Sequence, residues 1–108
     1  SYTRFAYSSL KLSHTRISDK DSFTASIELT NVGDREGTEV VQLYIRDIYS
    51  SATRPVKELK DFARVTLKPG EKKTVTFTVT PDKLAYWNRN MQYGVEKGEF
   101  EIMIGSSS

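Results

Sequence analysis

Residues 23–30 read FTASIELT, a run in which apolar and polar side chains alternate without interruption. A period of two places the apolar members on one face of a β-strand: Phe23, Ala25, Ile27 and Leu29. The opposite face carries hydroxyl groups and a carboxylate, which suit contact with water. This run therefore predicts a strand that is buried on one side and solvated on the other.

The same alternation occurs in three further runs, at residues 40–46, 74–80 and 99–104. Weaker apolar runs fill the gaps between them. One opens the chain with a slip in its spacing that indicates a kink: Phe5, Tyr7, Leu10 and Leu12. A second is an interrupted strand with these apolar members: Leu59, Phe62, Val65 and Leu67. A third is a short strand at Tyr93 and Val95.

Turn-forming residues separate these runs at 31–34, 68–71 and 97–98. Residues 81–85 begin with Pro and predict a single helical turn. About seven short strands in 108 residues predict an all-β fold, a single antiparallel β-sandwich with Greek-key connections that spans residues 1–108. A closed barrel is the structural alternative.

Composition and charge exclude several classes of function. The net charge is only +2 and the basic residues are scattered, so nucleic acid is not an expected partner. The absence of cysteine excludes disulfides and thiolate metal sites. No apolar run approaches the roughly 18 residues of a membrane span. The chain lacks an initial Met and a signal-peptide pattern, so we expect a piece of a longer protein.

No arrangement of side chains predicts a catalytic, metal or cofactor site. His14 is the only histidine, and its neighbour Ser13 is expected to point to the opposite face of a strand. Glu99 and Glu101 share a strand face at roughly 7 Å, a separation compatible with an inverting glycosidase. Because that face lies opposite the core, we expect both carboxylates to be solvated and without a pocket that raises a pKa.

Four aromatic side chains fall on polar faces or in loops: Tyr44, Tyr49, Trp87 and Tyr93. Their rings can stack on sugars, so a carbohydrate-binding module is one hypothesis. The alternative is that Trp87 closes one end of the sandwich. A module that binds other proteins requires a large apolar surface patch, which the mixed polar faces do not predict.

Longer motifs carry a family resemblance. They are residues 1–5 (SYTRF), 40–47 (VVQLYIRD), 53–62 (TRPVKELKDF), 67–71 (LKPGE) and 96–106 (EKGEFEIMIGS). Together they resemble the fibronectin type III-like C-terminal domain of family-3 glycoside hydrolases, over essentially the whole chain. The resemblance implies an immunoglobulin/fibronectin type III-like sandwich. The chain departs from the family at Asp61, at Lys97 and around Trp87 and Tyr93, so no role is carried over for these aromatics.

The resemblance implies a larger parent enzyme, a retaining β-glucosidase or β-xylosidase whose nucleophile and acid/base lie on other domains. No catalytic residue is carried over to this chain. The implied partners are the catalytic domains of the same polypeptide, and the implied location of the parent is secreted or periplasmic. In the family the long segment at residues 47–60, here called the docking segment, lies against those domains. We expect five of its residues to dock: Tyr49, Arg54, Pro55, Lys57 and Lys60.

Overall fold

The computed structural model describes residues 3–48, 57–87, 93–94 and 98–107. These residues form nine strands and one helical turn. In chain order the elements are β1 (Phe5–Tyr7), β2 (Lys11–Leu12), β3 (Phe23–Asn31), β4 (Gly37–Asp47), β5 (Glu58–Leu67), β6 (Lys72–Val79), α1 (Pro81–Leu84), β7 (Tyr86–Trp87), β8 (Tyr93–Gly94) and β9 (Phe100–Ser106).

Two antiparallel sheets form the predicted sandwich. In the first sheet, β3 lies between β6 on one side and the pair β1 and β2 on the other. In the second, β4 lies between β5 and β9. The chain changes sheet between β3 and β4 and returns between β5 and β6. A separate two-stranded ladder joins β7 and β8. The all-β, fibronectin type III-like sandwich expected from the sequence is therefore confirmed.

The core follows the alternation that predicted it. Along β3 every second residue is buried, and its register with β6 sets Ile27 beside Val75. Strand β4 contributes the facing layer, in which Val41 and Leu43 are fully buried. The predicted helical turn forms at α1, where Pro81 occupies the first turn and Leu84 packs into the core.

One polar side chain is fully buried in the described part of the chain, that of Asn31. Its Nδ2 donates to the carbonyl oxygens of Arg35 and Leu67, each at 2.9 Å. Its Oδ1 accepts from the Thr3 hydroxyl at 2.8 Å and from the Gly33 amide at 3.0 Å. The sequence predicts a turn residue at this position. The structure corrects that prediction, because Asn31 ends β3 on the strand's buried face.

The segment that precedes β1 packs tightly against the connection between β3 and β4. A Cβ atom added at Gly33 would collide with the Thr3 side chain and lie 2.9 Å from the Arg4 backbone nitrogen. A Cβ added at Gly37 would also collide with Thr3. The absence of a side chain at both glycines therefore allows Thr3 to reach the Asn31 amide.

Tyr7 on β1 faces the space between the sheets. Its hydroxyl is buried near the carboxylate of Glu39. Burial of the phenol, followed by the nearby negative charge of Glu39, raises the pKa of Tyr7 well above its ordinary value of about 10. The side chain therefore remains neutral in the folded state well into the alkaline range.

Strand β5 differs from its prediction. The expected interruption takes the form of a bulge within a strand that otherwise runs continuously over residues 58–67. The bulge lies in its pairing with β4, where Leu43 pairs with Asp61 and Tyr44 pairs with Leu59. Val65 and Leu67 are buried as expected, but Leu59 and Phe62 are exposed. The bulge and strict alternation from Leu67 together explain why these two apolar residues lie on the outer face.

Candidate functional site

The docking segment begins in β4 and ends in β5. Tyr49, Arg54 and Pro55, three of its five predicted contact residues, lie outside the described residues. Of the other two, Lys57 directly precedes β5 and Lys60 lies within it. Among the described strands β5 pairs only with β4, so this part of the segment lies at an edge of the second sheet.

Lys57 is exposed and its ammonium nitrogen lies 4.7 Å from the centre of the Tyr44 ring. A cation over an aromatic face at this distance is a favourable electrostatic contact. The Tyr44 hydroxyl donates to Gln42 Oε1 at 2.6 Å, so the ring is held along the strand. One face of the ring that the sequence offers for sugar stacking is thus covered by a lysine of the same chain.

Lys60 occupies the bulge position of β5 and has no partner residue in the register with β4. Its Nζ donates to Glu58 Oε2 at 3.4 Å, and only 20% of its side chain is exposed. Lys83 of α1 similarly lies 3.7 Å from Asp61 Oδ2. The Lys60 cation is therefore engaged inside the domain, and Lys57 is the described lysine of the docking segment that faces solvent.

Trp87 and Tyr93 become neighbours through the ladder between β7 and β8, in which they are register partners. The sequence offers both residues for sugar stacking but gives no reason to pair them, since five residues separate them along the chain. Tyr44 belongs to the second sheet. Of the four candidate aromatic residues, the three that the structure describes therefore lie on two different ladders.

The Ser13 hydroxyl lies 3.0 Å from His14 Nδ1, which corrects the expectation that these neighbours point apart. They meet because they follow β2 in irregular backbone, where strand alternation does not apply. The same hydroxyl accepts the Thr24 amide at 2.8 Å, so it joins the end of β2 to β3. Both residues are exposed to solvent.

The carboxylates of Glu99 and Glu101 are exposed, as expected. Glu101 pairs with Arg46, whose Nε donates to its Oε1 at 3.0 Å across the β4–β9 ladder. Within the described ranges no three His, Cys, Asp or Glu side chains are arranged to hold a metal ion. With α1 only four residues long, no helix in the same ranges has the length and apolarity needed to cross a membrane.

The exposed pair Leu59 and Phe62 is the feature that the sequence reasoning missed. The predicted interrupted strand includes both residues together with the buried Val65 and Leu67, because all four are apolar. The signal that separates them is their position in the alternation. Every second residue before Leu67 faces inwards, which includes the half-buried Ala63 and Asp61. Phe62 lies between those two and therefore faces outwards. The outer face of the second sheet consequently carries exposed apolar groups.

Comparisons with known proteins agree with this fold. The family model of the fibronectin type III-like domain matches residues 39–108. A periplasmic β-glucosidase of Salmonella typhimurium is 46% identical over 108 residues, which are all of this chain and 14% of that protein. A β-xylosidase of Formosa agariphila is 48% identical over the whole chain, which covers 15% of its length.

Solved structures give the same picture. A β-glucosidase from Erythrobacter marinus superposes with a TM-score of 0.91 at 40% identity, over 99% of this chain and 14% of that one. A β-glucosidase from Listeria innocua superposes with a TM-score of 0.85 at 35% identity. The chain thus spans about one seventh of the length of these relatives. These findings confirm the resemblance drawn from the sequence: the chain belongs to the fibronectin type III-like domain family.

Proposed function

We propose that this chain is a non-catalytic accessory domain of a larger family-3 glycoside hydrolase, in which it stabilises the catalytic domains by docking on them. One observation carries the proposal: relatives named β-glucosidase or β-xylosidase align with the whole of this chain, which makes up only 12–15% of their length. The parent then hydrolyses O-glycosyl bonds, as a β-glucosidase or β-xylosidase, with its catalytic groups on other domains.

The geometry of the docking segment supports a contact role centred on Lys57. Its ammonium group is exposed and positioned over Tyr44, whereas Lys60 is engaged with Glu58. Arg54 and Lys57 together supply two positive charges that can pair with carboxylates of a neighbouring domain. Tyr49 and Pro55 of the same segment supply apolar side chains for the contact. The name of the Salmonella relative supports a periplasmic or secreted parent.

Replacing Arg54 and Lys57 by alanine in the full-length polypeptide tests the docking role. We expect the double variant to unfold at a lower temperature than the unaltered enzyme and to lose activity sooner on heating, because charge-assisted contacts between domains are lost. Differential scanning calorimetry and residual activity after heating measure these effects.

A matched variant carries Lys72→Ala and Lys73→Ala, which remove the same charge from exposed positions at the start of β6. This control is expected to behave as the unaltered enzyme. If the Arg54/Lys57 variant and the control are equally stable and equally active, the docking role of the segment is wrong.

The register pairing of Trp87 with Tyr93 favours a second candidate function, in which the domain binds carbohydrate through these rings. Titrating the 108-residue chain with cello-oligosaccharides and xylan, with Trp87 fluorescence as the signal, tests it, because Trp87 is the only tryptophan. A saturable change would support sugar stacking at this ladder. Unchanged fluorescence at high sugar concentration would eliminate this candidate.

A further inference from the structure

The outward side of the second sheet, here called the outer face, carries a continuous row of apolar groups. Leu59, Tyr44 and Met103 are register partners across β5, β4 and β9, so their side chains share one side of the sheet. In the neighbouring row Phe62 pairs with Gln42. The core side of β4 is opposite, since Val41, Leu43 and Ile45 are buried there.

Two of these groups are strongly exposed. Phe62 is 58% exposed and Leu59 is 49% exposed, and both lie on β5. Among the described strands β5 pairs only with β4, so its apolar side chains lie at an edge of the sheet there. Natural proteins usually protect such an edge with charge or cover it with another element, because an exposed one promotes association.

Charged side chains border the outer face. Lys57 and Arg64 are exposed at its border, Arg46 is paired with Glu101, and Glu99 is exposed beside β9, so three cations and two carboxylates leave a net charge of +1. Gly105 pairs with Gln42, and a Cβ placed on it would meet nothing within 4 Å. The surface at Gly105 is therefore open beside the apolar row. An apolar centre with a charged rim is the usual anatomy of an interface.

We propose that the rest of the same polypeptide covers the outer face, through an apolar surface rimmed by carboxylates that oppose Lys57 and Arg64. The relatives carry about six sevenths of their length outside this domain, so a tethered neighbour is present at high effective concentration. The docking segment enters the same face at Lys57. This inference rests on the proposed function and adds to it the surface that makes the contact.

Hydroxyl-radical footprinting of the full-length protein, read by mass spectrometry, tests the proposal directly. Each labelling rate is normalised to that of the same residue in the denatured protein. Val32, which is 52% exposed at a position away from the outer face, is the internal control. We expect Leu59 and Phe62 to label several-fold more slowly than Val32, at a rate that does not change on dilution. Equal normalised rates at Phe62 and Val32 would overturn the proposal.

Two other occupants are distinguishable in the same experiment. Protection that disappears on dilution, together with a dimer in analytical ultracentrifugation, would assign the outer face to a second copy and overturn the proposal. Protection that appears only after cello-oligosaccharide is added would assign it to sugar, with the same consequence. A face found free while Arg54→Ala with Lys57→Ala still destabilises the enzyme would overturn this inference and leave the proposed function intact.

A steric variant gives an independent readout. Gly105→Trp adds bulk to the outer face at a position where a Cβ atom meets nothing within 4 Å. We expect the labelling of Phe62 in the full-length variant to rise several-fold towards that of Val32, with a lower Tm. Thr76→Trp, on the exposed outward side of β6, is the matched control and is expected to leave both unchanged. Unchanged labelling of Phe62 in Gly105→Trp would contradict the proposed contact.

Discussion

Replacing Asn31 by alanine is expected to lower the free energy of unfolding of the 108-residue chain by about 3 kcal/mol. The substitution removes four hydrogen bonds at once and leaves the Leu67 carbonyl oxygen buried without its donor. It also frees the Thr3 segment from the connection between β3 and β4. Because a domain of this size is stable by only about 5–15 kcal/mol, the loss is a large part of the total. Urea unfolding followed by circular dichroism measures it.

Asn31→Asp separates the donor role of the amide from its acceptor role. The carboxylate still accepts from Thr3 and Gly33, but it cannot donate to the carbonyl oxygens of Arg35 and Leu67. Burial against two carbonyl oxygens should raise the pKa of the introduced carboxyl above the ordinary value of about 3.9. When the pKa of a carboxyl is higher in the folded state than in the unfolded state, its contribution to stability is fully present below the unfolded-state pKa. That contribution is lost as the pH rises through the folded-state pKa. The variant should therefore approach the parent chain only in acid.

Thr3→Val provides a graded control because it removes the hydrogen bond from the Thr3 hydroxyl to Asn31 and leaves the other three hydrogen bonds of that amide in place. We expect a loss of about 1 kcal/mol, well below that of Asn31→Ala. Thr3→Ser keeps the hydroxyl and should recover most of that loss. A free energy of unfolding for Asn31→Ala that lies within about 0.5 kcal/mol of the parent would show that the buried amide does not organise this end of the sandwich.

The sequence predicts the sandwich because its four alternating runs require one buried face each, and burial of that face decides the register. The same rule, carried one step further from Leu29, places position 31 on the buried side. Turn propensity predicts the opposite for this residue, a place in an exposed turn, since Asn followed by Val-Gly-Asp is typical of a turn. Tertiary packing decided the outcome, because the partners of the Asn31 amide lie up to 36 residues away in sequence.

The candidate site was less predictable, and the reasons are local. A lysine that pairs inside the domain and one that faces solvent look alike in a sequence, as Lys60 and Lys57 do. Their difference arises from the bulge that removes Lys60 from the register with β4. The pairing of Trp87 with Tyr93 depends on a short ladder that alternation does not predict. Side-chain types were therefore visible in the sequence, whereas their partners were not.

Leu67→Ala and Leu59→Ala form a matched pair on one strand, with the same residue change on opposite faces of β5. Leu67 is 1% exposed and Leu59 is 49% exposed. In the 108-residue chain we expect Leu67→Ala to cost about 3 kcal/mol, because it removes buried methyl groups and leaves a cavity. Leu59→Ala should change the free energy of unfolding by less than about 0.5 kcal/mol. Denaturant unfolding of both variants makes the comparison.

The same pair links the fold to the proposed contact surface. In the full-length polypeptide Leu59→Ala should become destabilising if the outer face is covered there, because the side chain then has a partner to lose. Leu67→Ala should be destabilising in both forms, since its partners belong to the domain itself. Equal costs for the two variants in the 108-residue chain would contradict the assignment of opposite faces. A Leu59→Ala effect that is negligible in both forms would argue that Leu59 contributes no contact energy to the interface.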